Sequence, residues 1–367
     1  MNRISTTIAA YRYLLLSALL LQSVFSNVQG QEGGDQQRER WVGGWLTYWQ
    51  FEQGLASINQ TTNTYQEIYF FIGQLSTDGT PLIVRSKHNF RATVQQLKAA
   101  GQRAWLTVVN DVVSPSQRPI LKDPYTVSRM LSTPQTRQRH IDQLTALAKD
   151  YGFYGIDIDY ESLRYRDRNN FSLFIEELAQ ALQAQNIKLA VTVQPKTTAK
   201  RSNGAGVNDW PRLCRVVDRL QIMLYNEHSG KTGPGPIAST AWMERVLDYA
   251  ETKCPINTIV PSIKVLGATW HEKGVRGITH QNALSLARQH GASIERTDQD
   301  LIPHFTINRA NQSSTTYYED EQSIGIKLAH LKERGYNHIV LWRLGSYDPE
   351  IDKKLLEFRA NRNRIGP

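Results

Sequence analysis

The chain has 367 residues, with 43 Lys and Arg against 34 Asp and Glu and a formal charge of +9. That length admits one large barrel or two ordinary domains. The basic balance fits adhesion to anionic polymers such as cell-wall material, or simply a solvated surface. The run from Lys353 and Lys354 through Arg359, Arg362 and Arg364 reads as a solvated helix end or tail rather than a nucleic-acid patch.

In chain order, residues 1–30 read as a secretory signal peptide. Arg3 and Arg12 supply its charged start, residues 13–25 an apolar run too short to span a bilayer, and Val28-Gln29-Gly30 a cleavage region. Its removal takes away two arginines and no acids, leaving a charge of +7. No later stretch is apolar enough to cross a membrane, so the expectation is a secreted or periplasmic protein with no membrane association after cleavage. Residues 31–40 form a polar spacer.

From Trp41 onwards, strand-like apolar runs recur at 41–49, 68–72, 104–109, 155–160, 188–193, 218–224, 258–263 and 338–342. Helical patterns with recognisable ends separate most of them. Asn89 can cap a helix carrying Val94 and Leu97 that stops at Gly101; Thr133-Pro134 opens another that ends at Gly152. Phe171, Phe174, Ile175, Leu178 and Leu182 form a helical stripe, Ser239 or Thr240 opens the next helix, and Asp320 opens the last crossover. Strands alternating with helices in this way predict an α/β fold, a (β/α)8 TIM barrel over 41–360. A segment at about 268–318, between the seventh and eighth strands, predicts a small α+β insertion with a helix at 280–290 on the catalytic face. Cys214 and Cys254 precede neighbouring strands and could form a disulfide or be two free buried thiols.

The strongest chemical signal lies at residues 154–161. Asp157, Asp159 and Glu161 alternate with Ile156, Ile158 and Tyr160, so a strand points the three acids to one face and the apolar set to the other. Burying an unpaired charge costs several kcal/mol, so acids along a buried strand must be compensated or used. Carboxylates at i and i+2 lie ~6.6 Å apart and repel by about 2.5 kcal/mol at an effective dielectric of ~20. That repulsion favours retention of a proton by one of them near neutral pH, as a general acid requires. A hard-cation site, and hence a cation-dependent enzyme, is the competing reading of the same pattern. Barrel chemistry takes place at the carboxyl ends of strands. This puts Glu161 at the mouth with Asp157 and Asp159 deeper, and makes Tyr48, Trp49, Asn110, Gln194, Tyr225, Asn226 and Trp342 candidates by position. Aromatic side chains there suit the apolar faces of sugar rings.

Other motifs fail. Gly230-Lys231-Thr232 lacks the first glycine of a phosphate loop, and His271-Glu272 lacks the second histidine of a zinc helix. There is neither a Gly-x-Ser-x-Gly elbow nor a dinucleotide fingerprint. No cofactor or metal is expected.

These residues resemble glycoside hydrolase family 18, the chitinase-like family, whose fourth strand ends Asp-x-x-Asp-x-Asp-x-Glu. Asp157, Asp159 and Glu161 match the last three acids, with Tyr154 in the first place; Met223-Leu224-Tyr225-Asn226 is similar to Met-x-Tyr-Asp. The segments 340–345, Asp348-Pro349, 317–320 and 233–236 resemble the branch of spore-cortex and cell-wall glycosidases. The resemblance spans about residues 41–352. It implies a retaining, substrate-assisted glycosidase acting on β-linked N-acetylglucosamine polysaccharide, peptidoglycan or chitin. Glu161 would protonate the glycosidic oxygen, Asp159 hold the 2-acetamido group, and Asp157 share a proton with Asp159. Tyr225 would bond the acetamido oxygen and Trp342 floor the reacting sugar. The departures at Tyr154 and Asn226 keep open a non-catalytic, carbohydrate-binding chitinase-like protein.

Overall fold

The computed structural model describes residues 40–60, 63–309 and 312–360. The expected signal peptide at 1–30, and the spacer at 31–40 apart from Arg40, lie outside the described residues.

Among the described residues, eight parallel strands close a barrel: β1 (Trp41–Thr47), β2 (Glu67–Ser76), β3 (Arg103–Ser114), β4 (Gly155–Asp159), β5 (Lys188–Val193), β6 (Arg219–Met223), β7 (Ile259–Lys264) and β8 (His338–Trp342). Each pairs in parallel with the next, and β8 returns to β1 through Trp41↔His338 to Gly44↔Leu341. This is the expected (β/α)8 architecture. Alternation sorts the side chains. Ile156 and Ile158 of β4 face outward into the layer shared with Leu144, Phe174 and Leu178, whereas Trp41, Trp45, Tyr69, Trp105, Ala190, Val260 and Val340 fill the bore.

The helices that cover β4 are delimited by their ends. Thr133 forms a capping box at the start of the helix Pro134–Tyr151, and Gly152 closes it in left-handed backbone at φ 73°. The helix Arg168–Gln183 then buries Phe171, Phe174, Ile175, Leu178 and Leu182. Side chains of this size stabilise by roughly 1.5–3 kcal/mol each on burial, which anchors the acidic strand from behind. Asn89, Ser239 and Asp320 also cap their helices through the side chain.

Three features differ from the expectation. The first strand stops at Thr47, and Tyr48–Gln50 turn as a 3-10 helix into the helix Phe51–Gln60. Strands β2 and β3 run past the barrel rim and fold back as hairpins through Pro81–Ile83 and Gln117–Ile120. The segment between β7 and β8 is the expected α+β insertion, but with more sheet than periodicity showed. Gly267–His271, Gly274–Ile278, Glu295–Arg296, Pro303–Arg309 and Gln312–Tyr317 form an antiparallel sheet beside the helix His280–His290. Cys214 and Cys254 are bridged at a Cα–Cα distance of 5.6 Å, which resolves the open alternative and ties together the segments leading into β6 and β7. Among the described residues no helix is long and apolar enough to cross a membrane.

Candidate active site

Strand β4 carries its acids up the bore in steps of two. Gly155 opens the strand where a Cβ would collide with the Trp105 ring, so glycine is required by close packing. Tyr154, just below, packs edge-on against Trp105 at 5.3 Å and lies under the Arg103 guanidinium. The departure from the family pattern at this position is therefore in the barrel floor, away from the mouth.

Asp157 is fully buried. Its Oδ2 accepts from Thr107 Oγ1 at 2.8 Å and Trp45 Nε1 at 3.3 Å, and its Oδ1 from Thr192 Oγ1 at 2.8 Å. The register explains this, because Thr107 on β3 lies directly opposite Asp157. Both oxygens are thus committed to the bore wall. Burial pushes the Asp157 carboxyl up, and the hydrogen bonds from Thr192, Thr107 and Trp45 oppose that shift.

Asp159 is 5 % exposed, and its Oδ1 has no hydrogen-bond partner among the described residues. Its carboxyl is held well above the ordinary carboxylate range, first by burial and then by the charges of Glu161 and Asp157, with Lys122 opposing. The upward shift expected on this strand is therefore present, but desolvation leads and repulsion follows. The nearby Tyr225 hydroxyl is pushed up by its own burial and then by the charges of Asp159, Glu161 and Asp157.

Glu161 stands one step beyond the strand at the mouth, half-buried. Its main chain is clamped by Asn110, whose Oδ1 accepts from the Glu161 N–H and whose Nδ2 donates to the Glu161 carbonyl, both at 2.9 Å. Gln194 Nε2 donates to Glu161 Oε2 at 3.1 Å, and Lys122 Nζ makes an ion pair with Oε1. Ser162 and Asn226, which follow Glu161 and Tyr225, are non-glycine residues in left-handed backbone at φ 58° and 66°. Such conformations cost of order 1–3 kcal/mol and cluster at functional sites.

The aromatic rim is only partly as expected. Trp342 lies half-buried between Trp45 at 5.7 Å and Phe71 at 5.2 Å, and Phe71 continues edge-on to the exposed Trp49 at 5.6 Å. Tyr225 packs with Met223, Ile237, Ala268 and Trp270, against which Tyr317 and Trp342 also lie. The insertion thus walls one side of the mouth. Two positional expectations are corrected. Asn110 is fully buried, its amide spent on the main chain of Glu161 and the carbonyl of Asp123, so it positions rather than lines the mouth. Tyr48 packs against the outer core layer, because the 3-10 turn swings it off the strand. Asn226 is exposed and accepts from Lys264 Nζ at 3.5 Å. Phe71, Trp270 and Lys122 were missed: the first sits in a continuous apolar run, and the other two come from the insertion and from the hairpin that extends β3, neither with a strand-end signature. Among the described residues no group of three or more His, Cys, Asp or Glu is disposed to hold a metal ion.

Fold and site together define a class: a (β/α)8 barrel with an under-compensated carboxylate cluster and an aromatic rim at the carboxyl ends of its strands. Residues 122–348 match the model of the Glycosyl hydrolases family 18. This is more than half of the chain, which belongs to that family. Among relatives, it is 29% identical over 224 residues to the uncharacterized glycosylase YvbX of Bacillus subtilis (strain 168), covering 60% of this chain and 65% of that protein. It is 26% identical over 229 residues to the cortical fragment-lytic enzyme of the same organism, covering 60% and 53%. The chain thus spans between half and two thirds of these relatives. A chitinase from Chromobacterium violaceum superposes with a TM-score of 0.77 at 23% identity, over 88% of this chain and 100% of that one; the likeness shows the fold.

Proposed function

We propose that this protein is an exported glycosidase that hydrolyses β-linked N-acetylglucosamine polysaccharide, peptidoglycan or chitin, with retention and with help from the substrate's own acetamido group. The observation that carries the reading is Asp159: a buried carboxylate with an oxygen unpartnered among the described residues, held between a locked acid below and a half-buried acid at the mouth. A carboxylate left short of donors inside a barrel is ready to accept from a ligand N–H. The acetamido N–H of an N-acetylated sugar is such a donor, and its orientation by Asp159 presents the carbonyl oxygen to the anomeric carbon. Glu161 protonates the leaving oxygen and later activates water; Asp157 shares a proton with Asp159, and the pair keeps negative charge beneath the cationic intermediate. Tyr225 bonds the acetamido oxygen, and Trp342 with Phe71 and Trp49 lines the sugar faces. The basic charge and the relatives named for cortical-fragment lysis favour cell-wall glycan, and the chitinase likeness keeps chitin as the other substrate. The export signal read at 1–30 carries the location part of the proposal.

A second reading is a carbohydrate-binding protein, favoured by the neutral, exposed Asn226 where the family pattern has an acid. Incubation with chitin and purified peptidoglycan, with products identified by mass spectrometry, separates the two, because a pure binder releases no new reducing ends. Glu161→Gln should lower kcat by ~10²–10⁴-fold while preserving ligand binding. A variant that hydrolysed as fast as the parent would sink the assignment.

A further inference from the structure

The hairpin that extends β3 brings a cation to the proton donor. Lys122 follows the returning strand Gln117–Ile120 in left-handed backbone at φ 54°, with its main-chain N–H held by Asp111 Oδ1 at 2.8 Å. Its ammonium pairs with Glu161 Oε1, and its side chain is 49% exposed against 16% for that of Glu161. Gln194 holds the other Glu161 oxygen. The pairing is built, because the strained backbone and the Asp111 contact aim a long side chain at one oxygen of one residue.

That arrangement poses a chemical problem. An ion-paired carboxylate has no proton to hand to a glycosidic oxygen, so the pair must open before the leaving group is protonated. Water is a weak replacement for Glu161 from the point of view of the ammonium, whereas a second carboxylate is an equivalent one. The donor lies beside the scissile oxygen, which in a β-1,4-linked chain is borne on C4 of the leaving sugar. A substituent on the adjacent C3 comes within the sweep of a flexible four-carbon stem that already touches the donor.

We propose that Lys122 is a specificity-determining residue that transfers from Glu161 to a carboxylate on the leaving-group sugar, so that the protein prefers glycans whose sugar on that side carries an acidic ether such as 3-O-lactyl. This rests on the glycosidase reading above. Exchange of one carboxylate for another frees Glu161 Oε1 to take a proton from solvent water and pass it to the glycosidic oxygen as the bond to the anomeric carbon breaks; a neutral glycan offers no such exchange. No bond to Lys122 is made or broken.

The test compares kcat/KM on two matched oligosaccharides, one with a free lactyl carboxylate on the leaving sugar and one with that group converted to its amide. Wild-type protein should favour the acid by about three- to fivefold. Lys122→Gln should bring the ratio to about one, and Lys122→Arg should restore most of the preference. Thermal melting of both variants shows whether a change in ratio accompanies loss of fold; a purely structural lysine would lower both rates together and leave the ratio intact. A wild-type ratio near one, or an unchanged ratio in Lys122→Gln, overturns the proposal while leaving the glycosidase reading standing. Failure of the wild type to cleave either compound removes both.

Discussion

The two ends of the barrel bore hold buried carboxylates in opposite states of compensation. At the amino end, Glu67 is fully buried on β2, yet every lone pair in reach is used. Its Oε1 accepts from Arg103 at 3.0 Å and Arg219 at 2.5 Å, and its Oε2 from Trp105 Nε1 at 2.9 Å and the Tyr69 hydroxyl at 3.2 Å. Arg219 is in turn stacked between the rings of Trp41 and Trp105, 4.2 and 4.4 Å from their centroids. At the carboxyl end, Asp159 is almost as dry but has an oxygen without a partner among the described residues and two acids for neighbours. Desolvation is common to both ends; the supply of donors is what differs. Where donors saturate a buried charge it holds the fold, and where they fall short it is left for a ligand.

Substitutions at the two ends should therefore fail in opposite ways. Glu67→Ala leaves Arg219 buried and unpaired, so it should destabilise by about 3–5 kcal/mol while the surviving folded protein keeps its kcat. Glu161→Gln should do the reverse, with the ~10²–10⁴-fold loss of rate and an unmoved melting temperature. Calorimetry and single-substrate kinetics on both variants would break the comparison if Glu67→Ala proved stable but inactive.

The next largest effect concerns the layer behind the acidic strand. His140, buried on the helix Pro134–Tyr151, shares a 2.7 Å hydrogen bond with the Tyr160 hydroxyl, and burial pulls its imidazole down to about 4. The unfolded chain, with an ordinary histidine near 6.5, therefore binds that proton more readily. Stability from this residue is complete above about pH 6.5 and is lost as pH falls towards 4, by about 3 kcal/mol. Urea midpoints across that window should fall for the parent and less steeply for His140→Gln; parallel curves would show that other groups control the acid limb.

Asp159→Asn sharpens the contrast further. Removal of an under-satisfied acid should leave stability equal or raise it by up to about 1 kcal/mol, whereas hydrolysis should drop by at least about 10²-fold. A large loss of stability would mean that the open valence is filled in the folded protein. The smallest effect is expected at the rim. Trp49 is 47% exposed, so Trp49→Ala should weaken glycan binding by about 1 kcal/mol, with a several-fold higher KM and an unchanged kcat.

Much of this could be read from the residues in order. The period-two run from Ile156 to Glu161, the caps at Asn89, Thr133 and Asp320, and the apolar stripe from Phe171 to Leu182 are local patterns. Each records which face of one element is buried or where that element ends, and neighbours along the chain determine that. The barrel, its eight-strand order and the acids on the inner face followed from such patterns alone.

What the tertiary structure decided is which distant groups meet. Lys122 against Glu161, the Asn110 amide around its main chain, the Phe71–Trp342 contact, the Cys214–Cys254 bridge and the Glu67–Arg219 pair all join residues brought together only by strand register and loop closure. No periodicity records these. The cause of the raised carboxyl at Asp159 belongs with them: the spacing of the acids foretold repulsion, but burial dominates, and burial is a property of everything packed around a side chain rather than of its neighbours in sequence.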